Sequence, residues 1–187
     1  QSGETADVLN GVRQAKKQGS RIVSIINRQH SSLENLSDAV LYTHCGDEIA
    51  VASTKVFTGE LIVFYLLSFV MADCYDAGEK ELRELPEKVR ECLAQQDVVS
   101  SLADQIRKAE HVYYVGKGIN FAVAGECALK LKEISYIHTE SMSAGELKHG
   151  TLSLIESGTP VIGVCPNDGT YQETISNLHE AKARSGL

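Results

Sequence analysis

Apolar residues along this chain follow two rhythms. Short β-branched runs at residues 21–26, 39–43, 111–115 and 160–165 read as buried strands. The stretches between them repeat at helical spacing. Residues 5–18 place Val8, Leu9 and Val12 on one side, and Gly19 is a good stop. Residues 27–38 are polar and read as a loop, and residues 44–50 as a turn. Residues 52–75 read as one long, largely buried helix, apolar from Leu61 to Met71 except for Ser68 and too short to span a bilayer. Asp76-Ala77-Gly78 is expected to break it. A charged helix follows over 79–95, interrupted or started at Pro86. Asp97 is expected to cap a helix reaching Lys108, and a last helix covers 169–183. Strands alternate with helices, so the expected class is α/β with parallel sheets. A boundary near residue 95 divides the chain into two subdomains, 1–95 and 96–187.

One helix organises the second half. Between Gly116-Lys117-Gly118 and residue 135, Phe121, Ala124, Ala128 and Leu131 share an apolar flank, while Glu126, Lys130 and Glu133 share a narrow polar arc. Two carboxylates flanking an ammonium suit proton transfer beside a sugar carbonyl: one group moves the proton and the charge holds an enediolate. The same spacing also reads as an ion pair on a solvated face. Downstream, residues 144–150 (AGELKHG) gather Glu146, Lys148 and His149.

Two further loops place small and hydroxyl residues ahead of helices. Gln1-Ser2-Gly3-Glu4-Thr5 opens the first helix, and residues 48–55 (EIAVASTK) open the long apolar one. Backbone N–H groups at such a start suit a phosphate, and simple helix capping also explains the residues. Gly116-Lys117-Gly118 lacks the third glycine of a dinucleotide loop, and no acidic residue follows at a strand end, so no cofactor is expected.

Composition narrows the possibilities. The 187 residues carry a net charge of −7, which disfavours nucleic acid and anionic membrane surfaces as partners. The five cysteines are widely spaced and read as reduced core filler, which fits a cytoplasmic protein. The six histidines show no metal-ligand spacing, so no metal is expected.

In this order, QSGETAD, EIAVASTK, ECALKLKEISYIHTE and AGELKHG resemble the isomerase half of the glucosamine-6-phosphate synthases. These are the glutamine:fructose-6-phosphate aminotransferases (isomerizing), whose isomerase half contains two sugar-isomerase (SIS) subdomains. The resemblance runs over nearly the whole chain. It implies two three-layer α/β/α subdomains with parallel sheets, both incomplete here, and a homodimer formed through this half. It implies fructose 6-phosphate or glucosamine 6-phosphate as ligand, and a glutaminase domain in the same full-length chain as ammonia source.

Residue by residue, the resemblance assigns Gln1, Ser2 and Thr5 to the phosphate loop, and Val51 and Ser53 to the loop lining the sugar and its phosphate. Glu133 becomes the base that shuttles a proton between C1 and C2, with Lys130 supporting it. His149 becomes the histidine linked to ring opening, which reaches the neighbouring subunit's site. The glutaminase half and the Schiff-base lysine of the C-terminal tail have no counterpart here, so the chain reads as an inactive fragment. Thr151 stands where many relatives have proline. The competing readings are another SIS isomerase or deglycase, and a non-catalytic sugar-phosphate-binding regulator.

Overall fold

A computed structural model describes residues 1–187, which divide into two units, Gln1–Ala94 and Gln95–Leu187.

In the first unit, α1 (Ala6–Lys17) leads into β1 (Val23–Ile26), and β2 (Ala39–Tyr42) pairs beside it in parallel, with Val23 opposite Ala39 and Ile26 opposite Tyr42. Gly19 stops α1 at φ +82°, a conformation that costs a glycine little. Leu9 of α1 packs with Ile26 and with Leu33 from a short helix, α2 (Ser32–Leu36). That helix lies in the segment expected to be a polar loop. Its signature was available: Ser31 Oγ accepts from Glu34 N–H at 3.3 Å, and Glu34 reaches back to the His30 N–H, a capping box in outline.

The long apolar helix differs more from expectation. It spans α3 (Lys55–Met71), and only Val56 and Gly59 are buried. Leu61, Phe64, Tyr65, Val70 and Met71 are exposed, so hydrophobicity alone did not specify burial. The break falls earlier than read, at Ala72–Cys74, where Asp73 takes a φ of +54°. Asp76, Ala77 and Gly78 already belong to α4 (Tyr75–Leu93). Gly78 packs against the Phe69 ring, where a Cβ would collide. Pro86 sits inside α4 without interrupting it. It removes one backbone bond, while the pairs Arg83–Glu79 at 2.6 Å and Arg90–Glu87 at 2.8 Å decorate the exposed face.

The second unit begins with α5 (Gln96–Ile106), where Asp97 lies in the first turn and Gln95, not Asp97, is the N-cap. Three parallel strands follow in the spatial order β4-β3-β5: β3 (His111–Gly116), β4 (His138–Ser143) and β5 (Val161–Val164). β4 was not anticipated. Its sequence, HTESMS, is polar, and only Thr139 and Met142 are buried. α6 (Ile119–Ser135) covers one sheet face, with Ala124 and Ala128 against Val112 and Tyr114. On the other face, Tyr113, Val115 and Met142 meet Ala144, Leu147 and Ile155 from the segment after β4, and Ala181 of α7 (Tyr171–Ala183). This gives the α/β/α layering with parallel strands expected from the sequence. Phe121, expected on the buried flank of α6, is exposed instead. The cysteines are only partly the core filler expected: Cys74 and Cys92 are exposed, Cys45 and Cys165 are half-buried, and half-buried Cys127 packs against the α6 face of the core.

Candidate active site

Thr5 sits at the N-cap of α1 without a side-chain cap bond. The first amide to bond back is Leu9 N–H, to the Thr5 carbonyl at 3.0 Å, so the N–H groups of Ala6, Asp7 and Val8 open onto the loop. The Glu4 carboxylate faces elsewhere: its Oε1 accepts from Ser32 N–H at 2.7 Å, and this bond lowers its pKa, while Asp7 lies in the first turn of α1. Ser2 Oγ accepts from Glu4 N–H at 3.1 Å. Gly3, at φ +69°, lies so close to Ser31 that no Cβ fits. The start of α1 is therefore an uncapped helix N-terminus with hydroxyls beside it, which suits an anion.

The start of α3 is different. Glu48 receives Ser53 Oγ at 2.8 Å on one oxygen, and Thr54 N–H at 2.8 Å and Lys55 N–H at 3.1 Å on the other. Those bonds, led by Thr54 N–H, pull its pKa from the ordinary 4.5 to about 2. An internal carboxylate thus occupies this helix terminus. Gln1 Nε2 donates to the Glu48 carbonyl at 2.9 Å, joining the two loops. Gln1, Ser2, Asn27, Arg28, Asp47 and Glu48 line a small cleft of about 60 Å³. Ser53 reaches this group through Glu48, whereas Val51 is 97% exposed.

On α6, Lys130 Nζ lies 2.6 Å from Glu133 and 3.4 Å from Glu126. The three side chains are only 21%, 32% and 25% exposed, so this arc is partly sheltered from solvent. The hydrogen bond to Glu133 is the main cause raising the Lys130 pKa. The i,i+4 pair expected on a solvated face exists, but the shorter contact is Lys130–Glu133. His149 ends a 3-10 turn, Ala144–His149, directly after β4 and is exposed. Ala144 and Leu147 of that turn pack on the α7 face of the sheet, opposite α6. The fold therefore joins Lys130 to Glu133 and puts His149 on an element of the other layer.

The Gly116-Lys117-Gly118 turn is closed by its own contacts. Buried Asn120 donates to Asp168 at 2.9 Å and to Thr170 at 3.1 Å, and Lys117 pairs with Glu173. The sequence reading missed Glu48, Asn27 and Arg28. For Glu48 a signal existed: a carboxylate a few residues ahead of a Ser-Thr helix start.

Parallel strands layered with helices, with hydroxyl-bearing loops at the starts of α1 and α3, place the chain in the α/β class. The chain belongs to the SIS domain family, which matches residues 1–70 and 105–187. Over 194 residues it is 45% identical to the glutamine–fructose-6-phosphate aminotransferase [isomerizing] of Caldanaerobacter subterraneus subsp. tengcongensis, covering 100% of this chain and 32% of that one. It is 42% identical to the protein of the same name from Thermococcus kodakarensis, again over 100% of this chain and 32% of the relative. The chain thus spans about a third of the length of the curated relatives it matches. The C-terminal domain of glucosamine-fructose-6-phosphate aminotransferase from Francisella tularensis superposes with a TM-score of 0.92 at 39% identity, covering 100% of this chain and 55% of that one.

Proposed function

We propose that this chain is sugar-phosphate isomerase machinery of a glutamine–fructose-6-phosphate aminotransferase, forming glucosamine 6-phosphate from fructose 6-phosphate and glutamine-derived ammonia. The observation that carries this reading is the Lys130–Glu133 contact on a half-sheltered helix face, in a chain so similar to enzymes of that name.

In the proposed reaction the sugar ring opens, with His149 moving the ring proton. Ammonia from the glutaminase domain of the full-length chain adds at C2, and water leaves as the imine forms. Glu133 then takes a proton from C1 and returns it to C2, giving the C1 aldehyde and the C2 amine. Lys130 offsets negative charge that develops between those two steps. The phosphate is held at the uncapped start of α1 by Gln1, Ser2, Thr5 and adjacent N–H groups, with Val51 and Ser53 alongside.

His149 lies on a layer other than that of Glu133, which supports its serving a second subunit in a homodimer. The exposed Phe64, Tyr65 and Met71 of α3 supply apolar surface for such an association. No helix is long and apolar enough to cross a membrane, and the proposed compartment is the cytoplasm. Titration calorimetry of the full-length protein with fructose 6-phosphate tests the substrate assignment. Binding is expected, and indifference to sugar phosphates would refute it.

A further inference from the structure

Residues 44–54 form no helix or strand, yet the first part of this segment is firmly held. Asn27 Oδ1 accepts from Thr43 Oγ1 at 2.8 Å and from Cys45 N–H at 2.9 Å, and Asn27 Nδ2 donates to the Gly46 carbonyl at 2.7 Å. Lys55 Nζ donates to the Asp47 carbonyl at 2.6 Å. Beyond Glu48 the chain projects outward, with Ile49 and Val51 almost fully exposed. No hydrogen bond ties residues 49–52 to the rest of the unit. The far end is closed by one side chain, Glu48, whose carboxylate spans the loop to Ser53, Thr54 and Lys55. The backbone carbonyl of the same residue receives Gln1.

We propose that Glu48 is a positioning residue of the sugar-phosphate site, fixing the Val51–Ser53 loop and its link to Gln1; this rests on the sugar-phosphate reading above. The chemistry is specific to a carboxylate. All the partners of its two oxygens are donors, including a Thr54 hydroxyl at 3.3 Å, and an ionised carboxylate only accepts. A glutamine of the same shape replaces one acceptor by an NH₂ that faces those donors. Ser53 has a single hydroxyl hydrogen, which Glu48 holds. The backbone N–H groups of residues 49–52 are then the donors this loop keeps available for an anionic ligand, provided the loop is held in shape.

The test compares wild type, Glu48→Gln and Glu48→Asp in the full-length protein. One readout is calorimetric affinity for fructose 6-phosphate, and the other is amide hydrogen exchange. Glu48→Gln is expected to bind about tenfold more weakly, the scale of one charge-assisted hydrogen bond. Exchange at the Thr54 and Lys55 amides should accelerate, while β1 and β2 keep wild-type protection. Glu48→Asp, which keeps the charge on a shorter stem, should recover part of both losses. Unchanged affinity in Glu48→Gln overturns the proposal alone, leaving the sugar-phosphate reading in place. Faster exchange throughout β1 and β2 in both variants also overturns it, since the loss would then be unfolding. Wild type that binds no sugar phosphate overturns that reading and this proposal with it.

Discussion

Thr139 Oγ1, in the edge strand β4, donates a 2.6 Å hydrogen bond to the Ala128 carbonyl of α6. Both residues are buried, so the bond exchanges with no water. It ties the helix to the sheet two residues before Lys130 and so fixes the orientation of the Lys130–Glu133 arc. Thr139→Val keeps the shape and leaves the Ala128 carbonyl with its α6 backbone partner alone. A loss of about 0.5–1.5 kcal/mol is expected, read as a lower urea midpoint for the transition of the second unit. An unchanged midpoint would mean that the carbonyl finds another donor.

In the first unit the same question of anchoring falls to Ile26, fully buried between Leu9 and Leu33. Ile26→Ala should cost about 2–5 kcal/mol by leaving a cavity the small two-stranded sheet does not refill. Amide exchange across β1 and β2 would report it, and wild-type protection there would contradict this packing account.

Acid should weaken the first unit in a defined direction. Backbone N–H bonds are the largest cause lowering the pKa of Glu4, through Ser32, of Asp38, through Ile22, and of Glu48, through Thr54. A carboxyl whose pKa is lower folded than unfolded contributes stability above its unfolded value and loses it as pH falls. For Glu48 that window runs from 4.5 down to about 2. Thermal melts in this range should fall with pH, and Glu48→Gln should flatten part of the slope. A slope identical to wild type would show that the Glu48 bonds do not persist in solution.

Much of this architecture was legible beforehand, and the misreadings have identifiable physics. The β-branched runs located β1, β2, β3 and β5, and β3, the central strand of the second sheet, is buried along nearly its whole length. β4 escaped because an edge strand with only Thr139 and Met142 buried carries no such run. α3 looked buried by composition, yet burial depends on what packs against it, which pattern alone does not encode. Glu126, Lys130 and Glu133 followed directly from helical geometry, as did the two hydroxyl-bearing helix starts. What spacing could not reveal was their difference: α1 lacks a cap, whereas the α3 start is filled by Glu48, a through-space contact.

That difference makes Thr5 a discriminating position. If the phosphate sits at the start of α1, Thr5→Val in the full-length protein should weaken fructose 6-phosphate binding by about 1–3 kcal/mol. Glutamine hydrolysis, assigned in the proposed function to a separate glutaminase domain of the full-length chain, should continue. Equal affinity in the variant would move the phosphate away from α1.

In the proposed mechanism Glu133 carries the proton between C1 and C2. The direct measurement is deuterium incorporation at those carbons of fructose 6-phosphate in deuterated water, comparing full-length wild type with Glu133→Gln. The variant keeps the side-chain shape and is expected to keep binding the sugar phosphate, and its exchange should slow by roughly 10²–10⁴-fold, the range for a positioned general base. Exchange at the wild-type rate would contradict the account and return Glu133 to the role of an ion-pair partner of Lys130.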